Sequence, residues 1–174
     1  LPESLSFEQG AAFFFGGLTA AEFLIDRARL APGEHLLVAG ATGSVGSAAV
    51  QIARHLGAEV AATASPANHA LARQLGATEV TDYRNGPHSG PFDVILDVMG
   101  SLGWRGAEPR LAPNGRLILI TADLTEMLSS TLRPRRNGRC FLTGTSKEDL
   151  SAMRRLVALH AAGGYTPVVG PVLP

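Results

Sequence analysis

The 174-residue chain holds a single cysteine, Cys140, and a single lysine, Lys147. One thiol rules out an internal disulfide and any zinc centre built on clustered cysteines, and it suits a reducing cytoplasm, the compartment expected here. Excess charge of either sign is also missing: Lys+Arg and Asp+Glu each number 15, a formal net charge of zero. With no basic surplus, neither nucleic acid nor an anionic membrane surface is an expected partner. The arginines of Arg133–Arg139 then read as a solvated loop, the more so because aromatics are only 6% of the chain. No apolar run approaches the roughly 18 residues that cross a bilayer. The richest, Ala11–Phe15, is bounded by Gly10 and Gly16. No basic segment precedes an apolar one at the N-terminus, as a signal peptide would require. The sequence starts without Met and stops at Val172-Leu173-Pro174, so both ends are expected to be cuts through a longer chain.

What is present suffices for one globular core. Apolar residues are 45%, and Gly 20 with Pro 11 stays below the level of a low-complexity chain. Short β-rich runs alternate with helical ones. His35–Ala41, Glu59–Ala64, Glu79–Tyr83, Phe92–Val98, Arg116–Thr121 and Arg139–Thr143 read as strands. Ser44–Leu56, Pro66–Leu75, Trp104–Leu111, Asp123–Leu128 and Lys147–Ala162 read as helices, with two more leading in at Phe7–Phe15 and Thr19–Ala28. Strands apolar on both faces and joined by helical crossovers specify a parallel sheet covered on each side. The expectation is an α/β, Rossmann-type, doubly wound six-stranded sheet: lead-in helices over 1–34, the core over 35–144, and a C-terminal helix and tail over 145–174.

The turn Gly40-Ala41-Thr42-Gly43-Ser44-Val45-Gly46 leaves the first core strand and enters a helix. In that setting Gly43 lets backbone approach a pyrophosphate, and Gly46 lets the helix pack closely on the sheet. The unpaired N–H groups opening the helix then face the anion. A Walker loop is excluded, because Val45 stands five residues after Gly40 and no lysine follows. For NAD an acid should end the second strand, about 20 residues on. Thr63-Ala64-Ser65 occupies that place, with no acid before Glu79. NADP(H) is therefore expected over NAD(H), with Ser65 and His69 as contacts and Arg73 as an electrostatic neighbour.

The order Leu5-Ser6-Phe7-Glu8, Gly17-Leu18-Thr19-Ala20, Pro32-Gly33-Glu34, GATGSVG, Gly57-Ala58, Leu75-Gly76-Ala77 and Phe92–Asp97 is distinctive. It resembles the medium-chain dehydrogenase/reductase superfamily, in its zinc-independent quinone oxidoreductase and zeta-crystallin-like branch. The resemblance implies that Ala41, Gly43, Ser44, Val45 and Gly46 form the pyrophosphate turn. It implies that Ser65 and Tyr83 hold the adenosine 2′-phosphate, with His69 where a lysine is common. Asp97-Val98-Met99-Gly100 matches the loop beside ribose and nicotinamide, and Thr121 with Phe141, Leu142 and Thr143 match segments near the nicotinamide. Thr19 matches a threonine near the cofactor. The resemblance also implies hydride transfer to a small-molecule acceptor, a quinone or an activated C=C or C=O. It implies a GroES-like domain outside this chain and a homodimer through the sixth strand, Gly138–Gly144.

Short-chain dehydrogenases are excluded, since neither Tyr83 nor Tyr165 has a lysine four residues on to lower its pKa. His35, His55, His69, His88 and His160 lie on different elements with no ligand spacing, so no zinc is expected in the chain. Two further readings of the same fold are a non-catalytic nucleotide-sensing module and the cofactor domain of a zinc-type alcohol dehydrogenase.

Overall fold

Ser6 starts the first helix with a capping box: its Oγ accepts from the Gln9 amide at 3.2 Å, and Gln9 Oε1 accepts from the Ser6 amide at 3.0 Å. In the computed structural model, which describes residues 2, 4–86, 88–121, 136–144, 146 and 149–170, α1 runs Phe7–Ala21. It then continues as a π-helical segment, Glu22–Arg27. The sequence reading broke this stretch in two at Gly16-Gly17. The break is absent because both glycines are packing positions. A Cβ on Gly16 would overlap the carbonyl of Ser44, and one on Gly17 would sit 2.6 Å from the Tyr165 ring.

Among the described residues six strands follow: β1 (His35–Ala39), β2 (Glu59–Ala64), β3 (Glu79–Asp82), β4 (Phe92–Asp97), β5 (Leu111–Leu119) and β6 (Cys140–Leu142). They form one all-parallel sheet in the order β3-β2-β1-β4-β5-β6. The doubly wound expectation holds. Between strands lie α2 (Ser44–His55), α3 (His69–Leu75, preceded by a 3₁₀ turn at Pro66–Asn68) and α4 (Gly103–Ala107). The last helix, α5, spans Leu150–Ala161, where Asp149 accepts from the Ala152 amide at 2.9 Å and so sets the start later than Lys147. β5 begins five residues before the expected Arg116. Its partner β4 pairs Phe92 with Leu111 and Val94 with Arg116, so Ala112–Gly115 bulges outward with Asn114 at φ 63. The helix expected over Asp123–Leu128, and residues 133–135 of the arginine loop, fall outside the described residues.

Alternation along β1 divides the core. Leu36 and Val38 face α1, α2 and α5, against Phe13, Phe23, Ile52 and Leu156. Leu37 faces the other way, with Phe92, Ile95, Leu111 and Leu117 under Leu102, Trp104 and Phe141. Each such fully buried large side chain contributes about 1.5–3 kcal/mol from burial alone. No described helix is long and apolar enough to cross a membrane.

Candidate functional site

β1 is flanked by β2 on one side and β4 on the other, and the chain winds away from it in opposite senses. A crevice must therefore open beyond the C-terminal end of β1, between crossovers that lie on opposite sides. The turn Gly40–Gly43 sits there. Gly40 has φ 89, a left-handed conformation that suits glycine, and a Cβ on it would lie 2.7 Å from Met99 Cγ. Gly46 has no room for any side chain, because a Cβ would overlap the Gly40 carbonyl oxygen. This close approach brings the start of α2 against the strand end.

Gly43 is the N-cap of α2 and carries no side chain to bond the first-turn amides. The amides of Ser44, Val45 and Gly46 have no acceptor within the helix, and no acidic residue stands in the first turn. The opening of α2 is consequently an anion acceptor in both hydrogen bonding and dipole. The turn itself is tied to β2: the Ala41 amide donates to the Thr63 carbonyl at 3.1 Å, and the Gly40 amide to Thr63 Oγ1 at 3.3 Å.

A cleft of ≈ 400 Å³ lies against this turn, walled by Gly40, Thr42 and Gly43, by Thr63–Ser65, by Asn68 and Tyr83, and by Met99 and Ser101. Of the residues singled out from sequence, the cleft brings together Gly43, Ser65, Tyr83 and Met99. Ala41 is buried beneath the turn, and Val45 and Gly46 are buried in the helix start. The remaining candidates are strung along the same edge in strand order. Val98 follows β4 with its amide on the Ala39 carbonyl, and Thr121 follows β5 beside Gly100. Phe141 and Leu142 end β6, where Thr143 Oγ1 donates to the Leu119 carbonyl at 3.1 Å.

Three candidates have other partners. Asp97 is fully buried and accepts from the amides of Ser101 (3.1 Å), Leu102 (2.8 Å) and Gly103 (3.1 Å). It holds the loop that carries Met99 and Ser101 to the cleft. His69 places Nε2 3.3 Å from the Ala64 carbonyl, and Thr19 donates to the Phe15 carbonyl at 2.9 Å. Neither lines the cleft. Arg73 is exposed on α3 and does not line it either.

The sequence reading missed Thr42, Asn68 and Ser101. Asn68 Nδ2 donates to Thr42 Oγ1 at 3.3 Å, bridging the glycine turn to the segment after β2. It also missed that an acid stands near the end of β2 from the side: Asp82, on β3, pairs in register with Ala64. Arg84 hydrogen bonds hold the Asp82 carboxyl below its usual pKa range. The signal was available in Asp82-Tyr83-Arg84, but only strand pairing places it beside Ser65. Among the described residues, no three His, Cys, Asp or Glu side chains converge on a point where a metal ion would fit.

Residues 44–158 match the family model of the zinc-binding dehydrogenases. The chain belongs to that family, within the medium-chain dehydrogenase/reductases. It is 37% identical over 147 residues to a zinc-type alcohol dehydrogenase-like protein of Schizosaccharomyces pombe, covering 78% of this chain and 42% of that one. It is 30% identical over 188 aligned positions to the quinone oxidoreductase of Sus scrofa, covering 100% of this chain and 57% of that one. Among solved structures, the CurK enoyl reductase superposes with a TM-score of 0.81 at 25% identity, covering 100% of this chain and 57% of that one. The chain thus spans about half the length of these relatives, and residues 44–158 of it fall within the family model.

Proposed function

We propose that this zinc-binding dehydrogenase family domain binds NADP(H) in the cleft beyond β1. It serves hydride transfer to a quinone or an activated C=C or C=O acceptor. The observation that carries this reading is the uncapped opening of α2 set against a cleft whose far wall ends in Ser65, Asn68 and Tyr83. The amides of Ser44, Val45 and Gly46 receive the pyrophosphate, and Gly43 gives it access. Ser65, Asn68 and Tyr83 hold the adenosine end, where polar and uncharged side chains accept a 2′-phosphate. The bound nicotinamide supplies or accepts the hydride; the chain contributes position and electrostatics. Val98 and Thr121 stand toward the nicotinamide end, with Thr143 beyond them, because β4, β5 and β6 lie on the side of β1 opposite to β2 and β3. Asp97 acts by fixing the 98–103 loop.

A quinone is the acceptor of the porcine relative and an enoyl group that of CurK, as their names state. The acceptor pocket and the cover that excludes water belong to a GroES-like domain outside these residues, so turnover by this chain alone is expected to be small. A homodimer through the open side of β6, and a cytoplasmic location, complete the reading. Titration of the chain with NADPH and NADH tests it. Tighter NADPH binding is expected, and NADH binding of equal or greater strength would overturn the cofactor assignment.

A further inference from the structure

The 2′ substituent of the adenosine ribose separates NADP(H) from NAD(H), and a residue that selects it has meaning here only if NADP(H) is the bound cofactor, as proposed. Dinucleotide folds that prefer NAD keep an acid at the end of β2 to accept from the ribose 2′-OH. Here that acid is displaced by one strand. Asp82 ends β3 opposite Ala64, and Ser65 follows Ala64 directly. Its carboxylate does not stand alone, because the 3₁₀ turn Tyr83–Asn85 folds Arg84 back onto it. Arg84 Nε lies 3.1 and 3.0 Å from the two carboxylate oxygens, Nη2 lies 2.8 Å from Oδ2, and the Arg84 amide donates to Oδ1 at 3.0 Å.

This pairing uses one edge of the guanidinium. Among the described residues Nη1 has no protein acceptor, and the Arg84 side chain is 62% exposed. Arg84 also lines a lobe of ≈ 250 Å³ that shares Thr63, Tyr83 and Ser101 with the main cleft. A planar fork held by a carboxylate on one edge presents its other edge to a phosphate in a fixed orientation.

We propose that the Asp82–Arg84 pair selects the nucleotide by its 2′ group. Arg84 donates to the 2′-phosphate, and its pairing neutralises the carboxylate that would otherwise repel it. Asp82 is a positioning residue, acting through Arg84.

The test is the ratio of the NADH Kd to the NADPH Kd in the 174-residue chain and three variants, each checked for an unchanged thermal melt. Arg84→Met should lower the ratio about tenfold or more, by removing a charge-assisted donor and exposing the acid. Arg84→Lys should fall between, keeping the charge without the fork. Asp82→Asn combined with Arg84→Met should regain about threefold in NADPH affinity over Arg84→Met alone, because the repulsion is gone. A chain that prefers NADPH but keeps its ratio in Arg84→Met would overturn the role of Arg84. A double variant no better than the single would overturn the masking of Asp82. A parent chain without NADPH preference would overturn the cofactor reading and this inference with it.

Discussion

Single residues decide the chemistry at the turn. Gly43 has ordinary surroundings, with the nearest atom 3.8 Å from where a Cβ would stand, so substitution there need not disturb the fold. Gly43→Asp should therefore leave the melt nearly unchanged yet abolish binding of either nucleotide, by setting a carboxylate against the phosphates. Unchanged affinity in a calorimetric titration would show that the turn is not the site. Tyr165 is a different case, a buried phenol whose hydroxyl donates to the Phe13 carbonyl at 3.1 Å. Burial pushes its pKa up from 10.0 to about 12. The unfolded chain loses this proton first as pH rises, so the stability from the protonated phenol is complete below about 10 and falls across the interval to about 12. Tyr165→Phe should lose about 1 kcal/mol at neutral pH and show a shallower alkaline decline, read as urea midpoints.

At the scale of elements, α1 is fastened by glycine rather than by bulk. Gly16 lies on the first residue of α2, so Gly16→Leu should force α1 off the start of α2. The expected result is a loss of about 1–3 kcal/mol from overpacking together with weaker nucleotide binding, since Ser44 would move. Full affinity in a folded Gly16→Leu chain would contradict that coupling. The strands have their own tie. Arg116 of β5 meets Glu34, just before β1, with Nη1–Oε1 at 2.8 Å and Nη2–Oε2 at 2.6 Å. Arg116 holds the Glu34 carboxyl below its usual 4.5. A lowered folded pKa gives stability that is complete above 4.5 and is lost as pH falls through the folded value. Glu34→Gln should be less stable at neutral pH and should lose less on acidification below pH 4.5, measured by acid-dependent melts.

At the scale of the molecule, the sheet is closed by β3 at one edge and β6 at the other. Among the described residues β6 is three residues long and pairs only with β5, and the proposed dimer uses its outer backbone groups as the template for a second copy. Light scattering should give a dimer mass, and Phe141→Pro should shift it toward monomer by removing a donor and a side chain from the strand. A monomer at high concentration would count against this edge. Nucleotide binding should stabilise the fold with the logarithm of free ligand, by about 2.7 kcal/mol at one hundred times Kd, read as a rise in the melt, if the cleft belongs to the folded state alone.

Much of this molecule was legible from its residues. Apolar runs such as Leu36–Ala39 and Val94–Leu96 fill both faces of a strand, and that pattern is local, so the parallel sheet followed from it. The glycine turn was equally local, because close backbone approach at Gly40 and Gly46 demands glycine whatever surrounds it. Only tertiary structure decided which side chains meet across strands. Asp82 faces the end of β2 through register with Ala64, Asn68 reaches Thr42, and the Asp97 carboxylate turns inward to its own loop. Gly16-Gly17 read as a helix break until Ser44 and Tyr165 were seen packed upon them. Contacts between residues distant in the chain depend on register and packing, and neither is written in local propensity.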